Sequence, residues 1–204
     1  MASRWQIVLG LTATAVIVAP PIVFTSQHGI QFRNLRLVEE GVLYRSGQLT
    51  QDGLERVLHE KGIKTVVTLR ATRIAGKIPP DDWEVDLCAA RGVKHVRIVP
   101  RNWCTNASGE VPAEEAVKEF LTVMDDRSNY PVLVHCFAGI HRTGAMCSIF
   151  RMEFQGWPNE RAIEEMRMCG FDPLDMQGCI TEYLRTYQPR SKRPGSKAGV
   201  GGIE

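Results

Sequence analysis

The sequence lacks the usual marks of a metal-binding or nucleic-acid-binding protein. It has six cysteines, Cys88, Cys104, Cys136, Cys147, Cys169 and Cys179, but no Cys-x2-Cys pair and no cysteine–histidine ligand spacing, which argues against a zinc site. The formal charge is only +2, so no polyanion partner such as nucleic acid is implied. No internal repeat is present. The hydrophobic share of 44% is ordinary for a globular protein, and 204 residues suffice for one domain with tails. An even number of cysteines could pair. Several of them lie in apolar, helix-like stretches, however, and buried free thiols are the expectation.

One long apolar run exists, Trp5 to Phe24, with Thr12 and Thr14 as mild exceptions. About twenty such residues can span a bilayer. A secretory signal peptide competes with this reading, but no convincing small-x-small cleavage site follows the run. The expectation is therefore a single-pass membrane anchor over residues 5–24. Its orientation is undecided, and the protein would be secreted if the segment were cleaved. Residues 1–28 then form anchor and linker, 29–187 the folded domain, and 188–204 a disordered tail rich in proline, glycine, serine and basic residues.

Between these ends, short β-branched runs alternate with amphipathic stretches. Leu35–Val38 and Val42–Tyr44 read as a hairpin around Glu39-Glu40-Gly41. Lys64–Leu69, Val93–Val99 and the run from Val132 read as further strands. Helices are expected from Thr50 as N-cap, over Trp83–Ala90, from Pro112, over Ala145–Gln155, from Pro158, and around Ile180, Tyr183 and Leu184. This alternation predicts an α/β fold, with a central, mostly parallel sheet flanked by helices.

The stretch with the most chemistry is Val132 to Gly144, Val-Leu-Val-His-Cys-Phe-Ala-Gly-Ile-His-Arg-Thr-Gly. It places Cys136 where a buried strand hands over to a helix. The backbone N–H groups of Phe137, Ala138, Gly139, Ile140, His141 and Arg142 can curl toward one point there. The helix N-terminus adds unpaired N–H groups and the positive end of its dipole. Such a nest attracts an anion, and cysteines in such settings become nucleophilic thiolates. Arg142 adds a planar fork suited to two phosphoryl oxygens. Gly139 allows a backbone conformation that a side chain would hinder. The pattern is that of a nucleophile under a phosphate cradle, and its chemistry needs neither metal nor cofactor.

His135-Cys136, five residues, then Arg142-Thr143-Gly144 resembles the signature of the cysteine-based protein tyrosine phosphatase superfamily. A second stretch, Tyr44-Arg-Ser-Gly-Gln48, then a helix, then Gly62-Ile-Lys-Thr-Val-Val-Thr-Leu-Arg70, is similar to the first half of small bacterial dual-specificity-like phosphatases. The resemblance spans roughly Leu35 to Tyr187 and implies a phosphatase P-loop between a central strand and a helix. It implies a phosphomonoester hydrolase acting through a phosphate on Cys136, with phosphorylated protein or a small phosphoester as substrate. Arg142 would bind the transferring phosphoryl group. Thr143 would donate to the sulfur, or cap the helix, or both. His135 would be a buried organiser of the loop, neither acid nor base. His141 either adds charge at the rim or faces solvent, and Arg70 either reaches the rim or ends a strand in solvent.

The family usually supplies a general acid from an aspartate in the loop before the helix that precedes the reactive strand. That loop here, Arg101–Val111, contains no aspartate. Glu110 is its one carboxylate and the candidate acid, with favourable placement before a helix N-terminus as the competing reading. Asp81, Asp82 and Asp86 lie elsewhere, and their spacing says nothing about reach. Phe137, Ala138 and Ile140 are apolar, which weakens a highly anionic substrate such as an inositol phosphate or phosphoinositide. A phosphate-binding module with little turnover is a further alternative. Asn106-Ala107-Ser108 matches the glycosylation pattern, a frequent chance match.

Overall fold

The computed structural model of the chain describes residues 31–72, 74, 76–172 and 178–192, with Trp5 and Gly29 as isolated positions. The chain opens with strand β1, Arg36–Glu39, and β2, Leu43–Ser46. Gly41, at φ 67°, allows the tight return between them. Helix α1, Gln51–Glu60, starts on Thr50, whose hydroxyl accepts the Gly53 N–H at 3.1 Å. Strand β3, Thr65–Thr68, helix α2, Trp83–Ala90, and strand β4, Lys94–Arg97, follow. Helix α3, Ala113–Asp125, begins directly after Pro112 and leads to β5, Val132–His135. Helices α4, His141–Phe154, α5, Asn159–Met168, and α6, Gly178–Thr186, complete the fold.

The five strands lie in the order β1-β2-β5-β3-β4, so β5 is central. The sheet is mixed: β1 and β2 pair antiparallel, and the other three pairings are parallel. The reactive strand is buried on both faces, as the hydrophobic run predicts. Val132 and Val134 enter a large core with Phe120, Ile149, Phe150, Ile163 and Leu184 from the helices α3 to α6. Leu133 points the other way, into a smaller core with Leu54, Val57 and Leu58 of α1 and Cys88 of α2. The two-residue period of a strand accounts for this division. At the carboxyl end of the sheet the register aligns Ser46, His135, Thr68 and Arg97 in one polar row.

Four expectations change. Helix α4 begins at His141 rather than Ala145, because Gly144 N–H already donates to Ile140 O at 2.9 Å. Arg142 and Thr143 therefore stand in the first helical turn. The cysteines are not all thiols: Cys104 and Cys179 form a disulfide, while Cys88, Cys136, Cys147 and Cys169 are free. The tail is not disordered from residue 188. Pro189 is buried, and Arg190 docks on Asp125 at 2.7 Å and Glu153 at 3.0 Å. The membrane anchor and the localisation built on it are corrected as well. Among the described residues no helix is long and apolar enough to cross a membrane, and residues 6–24 of the expected span lie outside them.

Candidate active site

Cys136 follows directly on the end of β5 and is buried. Its Sγ accepts the backbone N–H of Gly139 at 3.3 Å. No acceptor among the described residues takes the N–H groups of Phe137, Ala138, Ile140 or Arg142. Such N–H groups, next to a helix N-terminus, are the donors that an anion would need. Gly139 sits at φ 75°, and a Cβ there would stand 2.5–2.6 Å from the carbonyl group of Ser46. The Arg142 guanidinium is steered by a hydrogen bond from Nη1 to Leu69 O, 3.2 Å. Thr143 is fully buried, and its hydroxyl has no hydrogen-bond partner among the described residues. It lies inside the first turn of α4, so it is not the N-cap. His141 packs edge-on against Phe171, with ring centroids 5.6 Å apart, rather than standing free in solvent.

His135 is buried and has a carboxylate partner. Its Nε2 lies 3.0 Å from Glu84 Oε2, and His95 Nε2 stands 3.6 Å from the same oxygen. Gln48 donates to the other Glu84 oxygen and accepts from Arg70 at 2.6 Å. Glu84 is only 1% exposed. Burial is the largest influence on it and opposes ionisation. The hydrogen bond from His135, the nearness of His95 and the Gln48 amide outweigh that, and hold its carboxyl down at about 2. Asp81 is buried beside it, accepting from Thr68 at 2.5 Å and from Arg97 at 2.7 Å. Asp81, Glu84 and His135 bring ligand atoms within 4.8 Å of one another, the spacing of a cation site. Arg97 already supplies a positive charge there, and each carboxylate has its hydrogen bonds, while His135 Nδ1 has no hydrogen-bond partner among the described residues.

The chain matches the family model described as DSP-PTPase phosphatase fused to NAD+ kinase over residues 23–181. It belongs to this family of dual-specificity-like phosphatases. The putative tyrosine-protein phosphatase OCA1 of Mycosarcoma maydis is 32% identical over 136 residues, covering 66% of this chain and 78% of that protein. Pseudomonas aeruginosa TpbA, a dual specificity protein phosphatase, is 40% identical over 55 residues, 27% of this chain and 25% of that protein. In fold, the catalytic core of the PP-IP phosphatase SIW14 from S. cerevisiae superposes with a TM-score of 0.59 at 21% identity, covering 78% of this chain and 88% of that one. The resemblance read from the motif is thus borne out, and the protein is a phosphatase.

The candidate acid of the phosphatase stands apart from this network. Glu110 lies on an exposed loop and accepts from Ser108 at 3.2 Å, while its N–H donates to Asn106 Oδ1 at 2.9 Å. None of its hydrogen bonds reaches the P-loop. The base of the same loop does: Pro100, Arg101 and Trp103 line a small pocket together with Arg142. Arg70 is at the rim, its guanidinium 5.3 Å from the centre of the Phe137 ring, and Arg33 lies 4.7 Å from the same ring. Phe137 itself is 58% exposed. The sequence reading passed over Glu84, Asn34 and Arg45, which contact the loop or its strand. Tyr44–Gln48 drew notice as a family stretch, but nothing local to Glu84 or Asn34 announces a partner so far along the chain.

Proposed function

We propose that the protein hydrolyses phosphomonoesters through a phosphate covalently held on Cys136, with phosphotyrosine, phosphoserine or phosphothreonine of proteins as the substrate class. The observation that carries this reading is the Gly139 N–H on Cys136 Sγ at 3.3 Å, in a loop where the N–H groups of Phe137, Ala138, Ile140 and Arg142 find no acceptor among the described residues. An anion at the loop mouth completes those bonds. The Cys136 sulfur attacks phosphorus in line, the bond to the leaving oxygen breaks, and that oxygen takes a proton from an acid. Glu110 is the acid proposed. Arg142 holds two of the peripheral oxygens, most tightly in the transition state. Water then attacks phosphorus, the S–P bond breaks, and inorganic phosphate leaves. The unpartnered Thr143 hydroxyl is suited to stabilise the departing sulfur. His135, held by Glu84, fixes the strand end that carries the nucleophile.

A second reading has an observation of its own. Arg33 and Arg70 flank Phe137 and have no carboxylate partner among the described residues. Two such cations suit a substrate with more than one phosphate, and a structural neighbour is named a PP-IP phosphatase. The decisive experiment offers an aryl phosphate, a phosphotyrosine peptide and an inositol pyrophosphate in parallel, with chelator present. Cys136→Ser and Glu110→Gln are run beside wild type. Turnover abolished by Cys136→Ser supports the cysteine mechanism, and the ranking of the three substrates decides the class. A larger loss at Glu110→Gln for the peptide than for the activated aryl ester supports that acid. One rapid burst without further turnover would replace the enzyme reading by a phosphate-binding module.

A further inference from the structure

A cradle of N–H groups works only if the carbonyls of the same peptides are turned away from the anion. The peptide is planar and trans, so the C=O of one residue and the N–H of the next point in opposite directions. Fixing a carbonyl from behind therefore aims the following N–H forward. In this loop three successive carbonyls are fixed in this way, each by a donor from residues 34–48. Gln48 N–H donates to Phe137 O at 2.9 Å. Asn34 Nδ2 donates to Ala138 O at 2.8 Å. Arg45 Nη2 donates to Gly139 O at 2.8 Å. The N–H groups aimed by these bonds belong to Ala138, Gly139 and Ile140, and that of Gly139 is the one seen on Cys136 Sγ.

Two features of the strap go beyond ordinary packing. Asn34 is the one non-glycine residue among those described with a positive φ, 49°. Such a conformation costs free energy for a side chain and is kept where the surroundings require it. Arg45 is 2% exposed and has no carboxylate partner among the described residues. A buried, uncompensated guanidinium is unfavourable until an anion docks on the loop it supports. The approach is also close: Gly47 N–H donates to Arg33 O at 2.7 Å, and a Cβ on Gly47 would stand 2.9 Å from Ala138 O.

We propose that Asn34 and Arg45, with the backbone of Gln48, are positioning residues of the reaction, aligning the loop N–H groups on the phosphate from the far side of their peptide planes. This rests on the reading of Cys136 as the phosphatase nucleophile. The test uses the full chain, steady-state turnover of an aryl phosphate, inorganic phosphate as competitive ligand, and thermal melting. Asn34→Gly removes the amide while tolerating the positive φ. It should melt within a few degrees of wild type, lose about 10–100-fold in kcat, and bind inorganic phosphate about 2–10-fold more weakly. Asn34→Asp, which sets an acceptor against Ala138 O, should lose more. Arg45→Lys should recover part of what Arg45→Met loses. A folded Asn34→Gly with wild-type kcat and wild-type phosphate affinity overturns the proposal, even if Arg45→Met fails to fold. If folded wild type turns over no aryl phosphate, it is the nucleophile reading that falls. Calorimetric phosphate binding by wild type against Asn34→Gly then still decides whether the strap aims the cradle.

Discussion

Two loops at the carboxyl end of the sheet are held in opposite ways. The loop after β5 is fastened peptide by peptide, with the carbonyls of Phe137, Ala138 and Gly139 each bonded from behind. The loop after β4 is exposed over most of its length. It is fastened near its base by the Cys104–Cys179 disulfide and by Trp103 packed edge-on against Tyr183, with centroids 5.2 Å apart. On the mechanism proposed above, the difference suits what each would present. A loop that offers several N–H groups to one phosphate needs every peptide plane set in advance. A loop that offers one side chain needs an anchor and freedom beyond it.

Breaking the first loop should have the larger effect. Arg142→Ala should cost about 10²–10³ in kcat, as the loss of a transition-state donor does, with melting little changed. Steady-state kinetics on an aryl phosphate beside a melting curve checks this. Breaking the second loop at its anchor, with Cys104→Ser, should lower stability by about 2–4 kcal/mol, since the bridge closes a long chain segment. Turnover of a substrate with a good leaving group should then fall much less than stability, as denaturant titration and kinetics together would reveal.

The network under the first loop makes a pH prediction. The Glu84 carboxyl sits at about 2 in the folded protein against 4.5 ordinarily. Its folded value is depressed, so its contribution is fully present above about pH 4.5 and is lost as pH falls toward 2. The amount is on the order of 3–4 kcal/mol. Melting temperature followed from pH 6 to pH 2 should fall more gently in Glu84→Gln than in wild type. The smallest effect is expected at the rim. Arg70→Ala removes a cation from the exposed Phe137 ring and should cost only about 0.5–1 kcal/mol in stability, read by denaturant titration.

What the sequence revealed of the site was what lies close along the chain. Val132 to Thr143 is a continuous run, so the candidate nucleophile and its candidate arginine stand out from neighbouring residues alone. The supports of that run come from far away. Glu84 lies 51 residues from His135, and Asn34 lies 104 residues from Ala138. No periodicity or cap signals such contacts, because only the parallel packing of β2, β5 and β3 brings the partners together. The elements were legible for the same local reasons: Thr50 capped its helix, Pro112 and Pro158 preceded theirs, and Trp83–Ala90 matched end to end. The start of α4 was placed at Ala145, after the loop signature, yet the Gly144 N–H already closes a helical bond to Ile140 O. The disulfide was missed because Cys104 and Cys179 are 75 residues apart and neither has a local signature. The docked Arg190 was hidden in a stretch whose composition reads as tail.

The bridge between Cys104 and Cys179 also changes the molecule as a topological object. It closes a covalent ring that contains α3, β5, the whole phosphate loop, α4 and α5. A single peptide cut anywhere inside that ring opens it without releasing a fragment. Nicked protein would therefore migrate as one species until a reductant separates the pieces. The segment that bears Cys136 is thereby held together twice, once by its core and once by a closed line of bonds.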